Sequence, residues 1–293
     1  MSDLRPKGRP RKIASRTRGN RHGPIVRLMS PSDLGRSLKP FVFLDLFEMD
    51  AATVGQMDVH PHSGIATVTL LTLGDVRFDD PEAGTGTIGY GGVEWMRAGG
   101  GAWHGKEMSR GDSPRVQGFQ LWIALGADGE NLPGESQYLE ARHMLLAGPA
   151  TVIIGELEGV RSPVRAPDGI AYLLVTLKPG ERWTYQPPAD HLVAWLALAQ
   201  GALDAGEHIE AGEMVSFEPG NGSIDLQATG HGDAVFVIGS AVPHPHDLVL
   251  GHYSVHTSAD ALQAGEARIA ELGAQLRRAD DRARSDGAVP VYR

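Results

Sequence analysis

Cysteine is absent from this chain of 293 residues. Its absence excludes a disulfide framework, a thiolate nucleophile and a cysteine-ligated zinc site. No apolar run is long enough to cross a membrane, and the N-terminus lacks the apolar core of a secretory signal. We therefore expect a cytoplasmic protein with no membrane partner.

Aromatic residues are also sparse, at 6% of the chain, whereas Gly (38) and Pro (19) are abundant. The glycines are scattered between short apolar runs, a pattern that favours many turns and short strands over long helices. Hydrophobic residues make up 41%, which is enough for a packed core. The length fits two domains of ordinary size.

Positive charge is concentrated at the N-terminus. Residues 1–40 carry a net charge of +9, which leaves −18 for the remaining 253 residues because the whole chain carries −9. Such an arm, with "KGRPRK" at 7–12, could bind nucleic acid in the minor groove. It could equally lie against an acidic body or stay solvated, and an acidic body is a poor platform for phosphates. We therefore do not expect nucleic acid as a partner.

Two successive sets of short apolar runs are separated by the polar stretch at 126–136. Strands of this length at regular turn spacing are typical of antiparallel sandwiches or barrels. The chain then ends in an Ala-, Glu- and Arg-rich segment at 258–285, predicted as one amphipathic helix with Ser258 as its N-cap. The predicted organisation is a basic N-terminal extension (1–39), a first β domain (40–140), a second β domain (141–257), and a C-terminal helix and tail (258–293).

The stretch "MDVHPHSGIATVTLL" at 57–71 places two histidines at the mouth of a strand. Strand side chains alternate between faces, so His60 and His62 project to the same side and could bind one metal ion. The pair alone is equally consistent with polar residues at a strand end. A third histidine, His104, follows a triple glycine at 99–101, where a tight turn can return a side chain to the same place.

At this point the sequence resembles the pirin family of the cupin superfamily. The segments "HPHSGIATVTLLTLGDV" (60–76) and "GGVEWMRAGGGAWHGKEM" (91–108) carry the resemblance, and "PFVFLDLF" (40–47) resembles the strand before the site. The resemblance implies an all-β bicupin, with two antiparallel barrels face to face and one metal site in the first barrel. The ligands that it implies are His60, His62, His104 and a following glutamate.

The glutamate is displaced by one residue from the family pattern. Two residues after His104, where the family has its carboxylate, this chain has Lys106, and Glu107 follows. A lysine ammonium has no lone pair for a metal, so Lys106 is not a candidate. Gly105 can form a bulge that returns Glu107 to the inner face, and we predict Glu107 as the fourth ligand and as the base. The alternative is a three-histidine site completed by water or substrate.

The resemblance also implies an activity. We expect one divalent transition metal, Fe(II) first, with Ni, Mn, Co, Cu or Zn as further possibilities because imidazole suits all of them. The implied enzyme is an oxidoreductase resembling quercetin 2,3-dioxygenase, with a small aromatic substrate and O2 as its partners. The alternative is a non-enzymatic metal-binding or redox-sensing regulator that acts through a protein partner. Two departures from the family pattern favour that alternative. Lys106 stands where the family has its glutamate, and Ala66 stands where it usually has an acidic residue.

The other histidines are predicted to lie outside any metal site. The cluster in "PHPHDLVLGHYSVH" at 243–256 is interpreted as a set of surface-loop histidines. The second domain offers His191 and His208 without paired ligands, so we expect it to bind no metal. Four aromatic side chains lie near the proposed site in sequence and could line its pocket or pack in the core: Trp95, Trp103, Phe119 and Trp122.

Overall fold

A computed structural model describes residues 9–56, 58–80 and 83–283, with the side chains of the last helix described as far as Arg278. The first eight residues of the predicted basic extension and the tail after residue 283 lie outside this range. Among the described residues, no helix has the length and apolar character that a bilayer span requires.

The regular secondary structure of the described chain consists mostly of short strands, as the glycine-rich sequence predicts. The strands in the first half are β1 (Ile13–Thr17), β2 (Asn20–His22), β3 (Ile25–Met29), β4 (Phe41–Asp50), β5 (His60–His62), β6 (Ile65–Leu73), β7 (Val76–Asp80), β8 (Gly84–Ile88), β9 (Val93–Arg97), β10 (Ala102–His104), β11 (Met108–Arg110), β12 (Arg115–Ala124) and β13 (Glu135–Leu139). Those in the second half are β14 (Leu146–Ala147), β15 (Ala150–Ile154), β16 (Glu156–Leu157), β17 (Val160–Arg161), β18 (Ile170–Leu177), β19 (Arg182–Tyr185), β20 (Val193–Gln200), β21 (Ala202–Asp204), β22 (His208–Glu210), β23 (Met214–Phe217), β24 (Ile224–Ala228), β25 (Ala234–Ala241), β26 (Val249–Leu250) and β27 (Val255–His256). Three 3-10 turns (Leu34–Arg36, Ala51–Thr53, Ala141–His143) and one helix, α1 (Ala259–Ala283), complete the described elements.

The chain divides into two compact units. In the described part of the chain, the first unit comprises residues 22–56, 58–80, 83–143 and 244–283, and the second comprises residues 9–21 and 144–243. Each contains a seven-stranded antiparallel sheet, in the order β13-β9-β6-β12-β4-β3-β2 in the first and β1-β23-β20-β25-β18-β15-β14 in the second. The prediction of an all-β chain with two antiparallel barrels and a C-terminal helix is confirmed by these elements.

The first unit buries one face of its large sheet against the smaller sheet β11-β7-β8. Leu71 and Val116 contribute from the large sheet, and Phe78 and Ile88 from the small one. Along β7, buried and exposed residues alternate, which is how a strand directs one face toward a core. The arrangement leaves the separate two-stranded pair β5-β10 to carry the histidine motif.

The second unit has its core between two sheets. Leu196 and Phe236 of its seven-stranded sheet pack with Ile209 and Leu226 of the four-stranded sheet β19-β24-β21-β22. All four side chains are almost completely removed from solvent, so the hydrophobic effect holds the two layers together.

The helix α1 packs on the first unit, of which it is part. Ser258 caps it, because the amide of Ala261 donates to Ser258 Oγ at 3.2 Å. Leu272 and Leu276 are buried on its inner face. The indole of Trp103, on β10, donates from Nε1 to the carbonyl of Ile269 at 2.9 Å. The helix is therefore attached directly to a strand that carries a candidate ligand.

The division of the chain differs from the predicted boundaries at both ends. Residues 13–17 form a strand on β23 of the second unit, and residues 25–29 pair with β4 of the first unit. The segment 1–39 is therefore shared between the two units in its described part. The hairpin β26-β27, predicted to belong to the second domain, lies in the first unit. These assignments depend on long-range strand pairing, which local sequence does not reveal.

Three described arginines of the basic segment, Arg11, Arg16 and Arg18, bond within the second unit. Arg16 contacts Glu207 at 2.9 Å and Arg18 contacts Glu210 at 2.6 Å. Arg11 is buried and donates to the carbonyls of Glu218 and Leu192, both at 2.7 Å. This arrangement matches the alternative in which the basic segment lies against an acidic body.

Replacing Arg11 tests how far this segment contributes to the second unit. We expect Arg11→Ala to lower the free energy of unfolding by about 2 kcal/mol, because it removes a buried side chain and leaves partly buried carbonyl acceptors without their charged donor. Urea unfolding monitored by circular dichroism gives the value. Lys12→Ala, an exposed neighbour with the same change in charge, is the control and should change stability by less than about 0.5 kcal/mol. Equal effects of the two substitutions would show that Arg11 is not an anchor.

Candidate metal centre

Three histidines meet on the antiparallel pair β5-β10. His60 lies directly opposite His104 in the register, and His62 is two residues further along β5 on the same face. One ring nitrogen from each of the three lies within 4.8 Å of the others. The ring centroids are 5.0 Å apart for His60 and His62, 4.6 Å for His60 and His104, and 5.2 Å for His62 and His104. The structure thus brings the three sequence-predicted histidines together.

Two of the histidines have their outer nitrogens fixed by backbone carbonyls. His60 Nδ1 donates to the carbonyl of Asp58 at 3.0 Å, and His62 Nδ1 donates to that of Tyr253 at 3.2 Å. A proton held on Nδ1 leaves the lone pair on Nε2, which can then bind a metal. Metal-binding histidines usually donate their other ring N–H in this way to a carbonyl or carboxylate. Burial, and then the neighbouring His60, lowers the pKa of His62 to about 3. His62 is therefore neutral at physiological pH, the form that binds a metal.

The segment after His104 bends at Gly105. Gly105 has φ +135°, and a side chain there would place its Cβ 3.0 Å from the carbonyl oxygen of Asp58. Lys106 is directed elsewhere, because its Nζ donates to the carbonyl of Gly55 at 3.1 Å. Glu107 is 7% exposed, and burial raises its pKa. Glu107 is therefore buried while Lys106 bonds to another loop, and the bulge at Gly105 stays a prediction.

Glu107 nevertheless lies outside the group of three histidines. Its Oε2 accepts a hydrogen bond from the amide of Gly105 at 2.7 Å. The carboxylate is thus held by the backbone of its own loop, and its assignment as fourth ligand stays a prediction.

A second buried carboxylate, Glu94, was not singled out from the sequence. It lies 4.0 Å from His104 Nδ1 and accepts a hydrogen bond from the hydroxyl of Thr69 at 2.6 Å. Burial raises its pKa to about 7. The available signal was an acid inside the apolar strand "VEWM", because a carboxylate in such a strand needs a partner. A carboxylate with this pKa suits the transfer of protons near neutral pH.

The four aromatic candidates have different positions. Trp122 packs edge-on against His62, with centroids 4.8 Å apart, and stacks on Phe43 at 4.1 Å. Trp103 joins β10 to the helix. Trp95 and Phe119 are buried in the core. Of the four, Trp122 is the one in ring contact with a candidate ligand.

The interpretation of residues 243–256 as surface-loop histidines is wrong for His256. This side chain is 0% exposed and contacts Glu130 at 3.0 Å. Burial lowers its pKa in spite of Glu130. The hairpin β26-β27 pairs back onto the site, because Ser63, next to His62, bridges Ser254. This packing could not be predicted from local sequence, because the hairpin and Ser63 are far apart along the chain.

The histidine donor set fits a transition metal. Three imidazole nitrogens converge, two of them with their outer nitrogens hydrogen-bonded, and nitrogen-only sets of this kind suit Fe, Ni, Cu, Co or Zn. Among the described residues, no other group of histidine and acidic side chains converges in this way. The remaining coordination positions would be available to solvent, to a carboxylate or to a substrate oxygen.

Comparison with known proteins agrees with this geometry. The Pirin family matches residues 24–123, which contain all three histidines. A pirin-like protein of Caulobacter vibrioides is 38% identical over 178 residues, or 56% of this chain and 62% of that relative. The chain therefore matches less than two thirds of that protein's length. A pirin-like protein of Solanum lycopersicum is 33% identical over 203 residues, which cover 67% of each chain.

Solved structures show the same fold. A quercetin 2,3-dioxygenase from Acinetobacter baumannii superposes with a TM-score of 0.75 at 23% identity, covering 89% of this chain and 97% of that one. A bacterial pirin from Escherichia coli, solved in complex with nickel(II), has a TM-score of 0.60 at 16% identity, covering 80% and 98%. At these identities the likeness shows the fold alone, and it confirms the predicted bicupin architecture.

The isosteric substitution Glu107→Gln tests whether the histidines suffice. We expect the variant to retain about one metal ion per chain, because the three histidines converge without Glu107, with an affinity lowered by about 10-fold to 100-fold. Titration calorimetry with Ni²⁺ on the metal-free protein measures both values. Glu207→Gln, an exposed glutamate of the second unit, is the control. Complete loss of binding in Glu107→Gln alone would show that Glu107 is an indispensable ligand.

Proposed function

The chain belongs to the pirin family, and on that premise we propose that it is a metal-dependent dioxygenase which cleaves a flavonol such as quercetin with O2. The convergence of His60, His62 and His104 is the observation that carries the proposal. The likeness to a quercetin 2,3-dioxygenase supports the choice of reaction, and a small aromatic substrate and O2 are the partners it requires.

Fe(II) is the metal we propose, with Ni, Mn, Co, Cu and Zn as alternatives. The likeness to a pirin solved with nickel(II) supports a divalent transition metal in this fold. Bound there, the metal would supply a Lewis acid for the deprotonated 3-hydroxyl of the flavonol and an open position for oxygen chemistry. His60, His62 and His104 would hold it.

The other residues of the site would orient ligands and accept the proton. The carbonyls of Asp58 and Tyr253 keep the Nδ1 protons of His60 and His62 in place. Two carboxylates with raised pKa values, Glu107 and Glu94, flank the histidines and are the candidate bases for the 3-hydroxyl proton. Their burial keeps bulk water from competing for that proton.

A second function, that of a non-enzymatic metal-binding or redox-sensing regulator with a protein partner, has one observation in its favour. Glu107 is hydrogen-bonded to the amide of Gly105 at 2.7 Å and is not part of the histidine group. A site without its carboxylate could bind a metal and still fail to activate a flavonol, and fold alone does not decide between these roles.

Oxygen consumption by the metal-loaded protein tests the first proposal. Protein loaded separately with Fe(II) and Ni²⁺ is mixed with a panel of flavonols, and O2 uptake and CO release are measured together. We expect turnover of at least one flavonol, and none of flavone, which lacks the 3-hydroxyl that the reaction must deprotonate. Full metal occupancy with no turnover of any flavonol would reject the dioxygenase and leave the regulator.

A further inference from the structure

We propose that Tyr253 joins the metal site to its substrate: its carbonyl sets the orientation of His62, and its ring forms the wall against which a planar aromatic substrate lies. The identity of the substrate rests on the function proposed above. The role of the carbonyl does not depend on it, because it concerns metal binding alone.

The backbone of Tyr253 is in a conformation that bulky residues rarely adopt. Its φ is +59°, and among the described non-glycine residues only Glu158 shares a positive φ. Such a conformation costs free energy and persists where the surrounding structure imposes it, often at functional sites. This strained backbone conformation occurs at the residue whose ring lies beside His60 and His62.

The surrounding structure that imposes it is the clamp between residues 62–64 and the hairpin β26-β27. Ser63 Oγ lies 2.9 Å from Ser254 Oγ, and the amide of Val255 donates to the carbonyl of Ser63 at 3.2 Å. Gly64 permits this close approach, because a Cβ there would lie 1.9 Å from the carbonyl oxygen of Val255. The turn at Tyr253 is therefore fixed against the strand that carries His62.

A buried polar cluster holds the other end of the hairpin. His256 lies 2.9 Å from Ser63 Oγ and 3.0 Å from a carboxylate oxygen of Glu130. The same carboxylate accepts hydrogen bonds from the amide and hydroxyl of Thr257, at 2.7 and 2.5 Å. Because these groups are buried and mutually bonded, they prevent the hairpin from relaxing the turn at Tyr253.

The carbonyl of Tyr253 then acts on His62. It accepts the Nδ1 proton at 3.2 Å, and His62 is 1% exposed, so water does not compete effectively for this bond. A change in the turn would move the acceptor and free the imidazole to rotate or change tautomer. Tyr253 is thus a positioning residue for the metal through its main chain.

The side chain of Tyr253 is partly exposed and lies beside the histidines. It is 43% exposed, and its ring centroid lies 5.9 Å from that of His60 and 5.8 Å from that of His62. The ring centroid of Trp122 lies 6.4 Å from that of Tyr253. Aromatic rings at these separations pack in offset or edge-to-face arrangements, so a planar substrate bound at the histidines would contact the phenol ring. The phenol hydroxyl could in addition bond to a hydroxylated substrate.

Three substitutions separate the two roles. Tyr253→Asn removes the ring but tolerates the positive φ, Tyr253→Phe keeps the ring, and Tyr253→Val puts a β-branched residue where φ is positive. The affinity for Ni²⁺ is measured by calorimetry on the metal-free full chain. The affinity for flavone, which is not a substrate, is measured by calorimetry on the Ni²⁺-loaded chain without O2. Thermal unfolding checks that each variant is folded.

We expect Tyr253→Asn to bind Ni²⁺ within about threefold of the unsubstituted protein and to bind flavone at least about fivefold more weakly, since an aromatic pair contributes that much. Tyr253→Phe should keep both affinities. Tyr253→Val should bind Ni²⁺ about 10-fold or more weakly, as expected when the partner of a ligand is displaced.

Two results would overturn the inference, one for each role. If Tyr253→Asn binds flavone as tightly as the unsubstituted protein, or if the unsubstituted protein does not bind flavone, the proposed role of the Tyr253 ring is wrong. If a folded Tyr253→Val variant binds Ni²⁺ with unchanged affinity, the proposed role of the Tyr253 carbonyl in orienting His62 is wrong. Loss of flavone binding in Tyr253→Asn, combined with no flavonol turnover by the unsubstituted protein, would instead reject the proposed dioxygenase and leave this inference standing.

Discussion

The antiparallel pairing of β5 with β10 is the constraint on which the candidate site depends. It sets His60 opposite His104, and the two-residue repeat of the strand places His62 on the same face. A slip of one residue in this register would place His104 on the opposite side from His60 and His62. The flanking structure fixes the register from both directions: Trp103 is bonded to the helix, and residues 62–64 are clamped by the C-terminal hairpin.

The first unit therefore depends on its own C-terminus. Residues 249–257 supply the carbonyl that orients His62 and the buried His256 that anchors the hairpin, and α1 then packs over β10. Most of these contacts involve groups that are buried and hydrogen-bonded to one another, so the loss of one partner would leave another unsatisfied. The candidate metal site is in this sense completed by a segment 191 residues away in sequence from the motif that it supports.

The sequence allowed the fold class and the three histidines to be predicted, because both depend on local patterns. Glycine spacing and strand-length apolar runs indicated two antiparallel β domains, and strand alternation placed His60 and His62 on one face. The barrels and the joining of His104 to one metal site were implied by the resemblance of the motifs to the pirin family. Glu94, Tyr253 and His256 were missed for a different reason. Their roles arise from pairing between distant strands, and nothing near Tyr253 in the sequence shows that its carbonyl meets His62. The displaced Glu107 lies between these cases: its burial agrees with the inward placement predicted from the sequence, whereas its hydrogen bond to the amide of Gly105 was not predicted.

The central claim is that these three histidines bind one metal ion, and the metal content of the purified protein tests it most directly. Elemental analysis should find about one transition-metal ion per chain, and His60→Ala should reduce the content to a small fraction of that value. His208→Ala, at an exposed position of the second unit, should leave it unchanged. Equal metal content in the His60 variant and the unsubstituted protein would contradict the account.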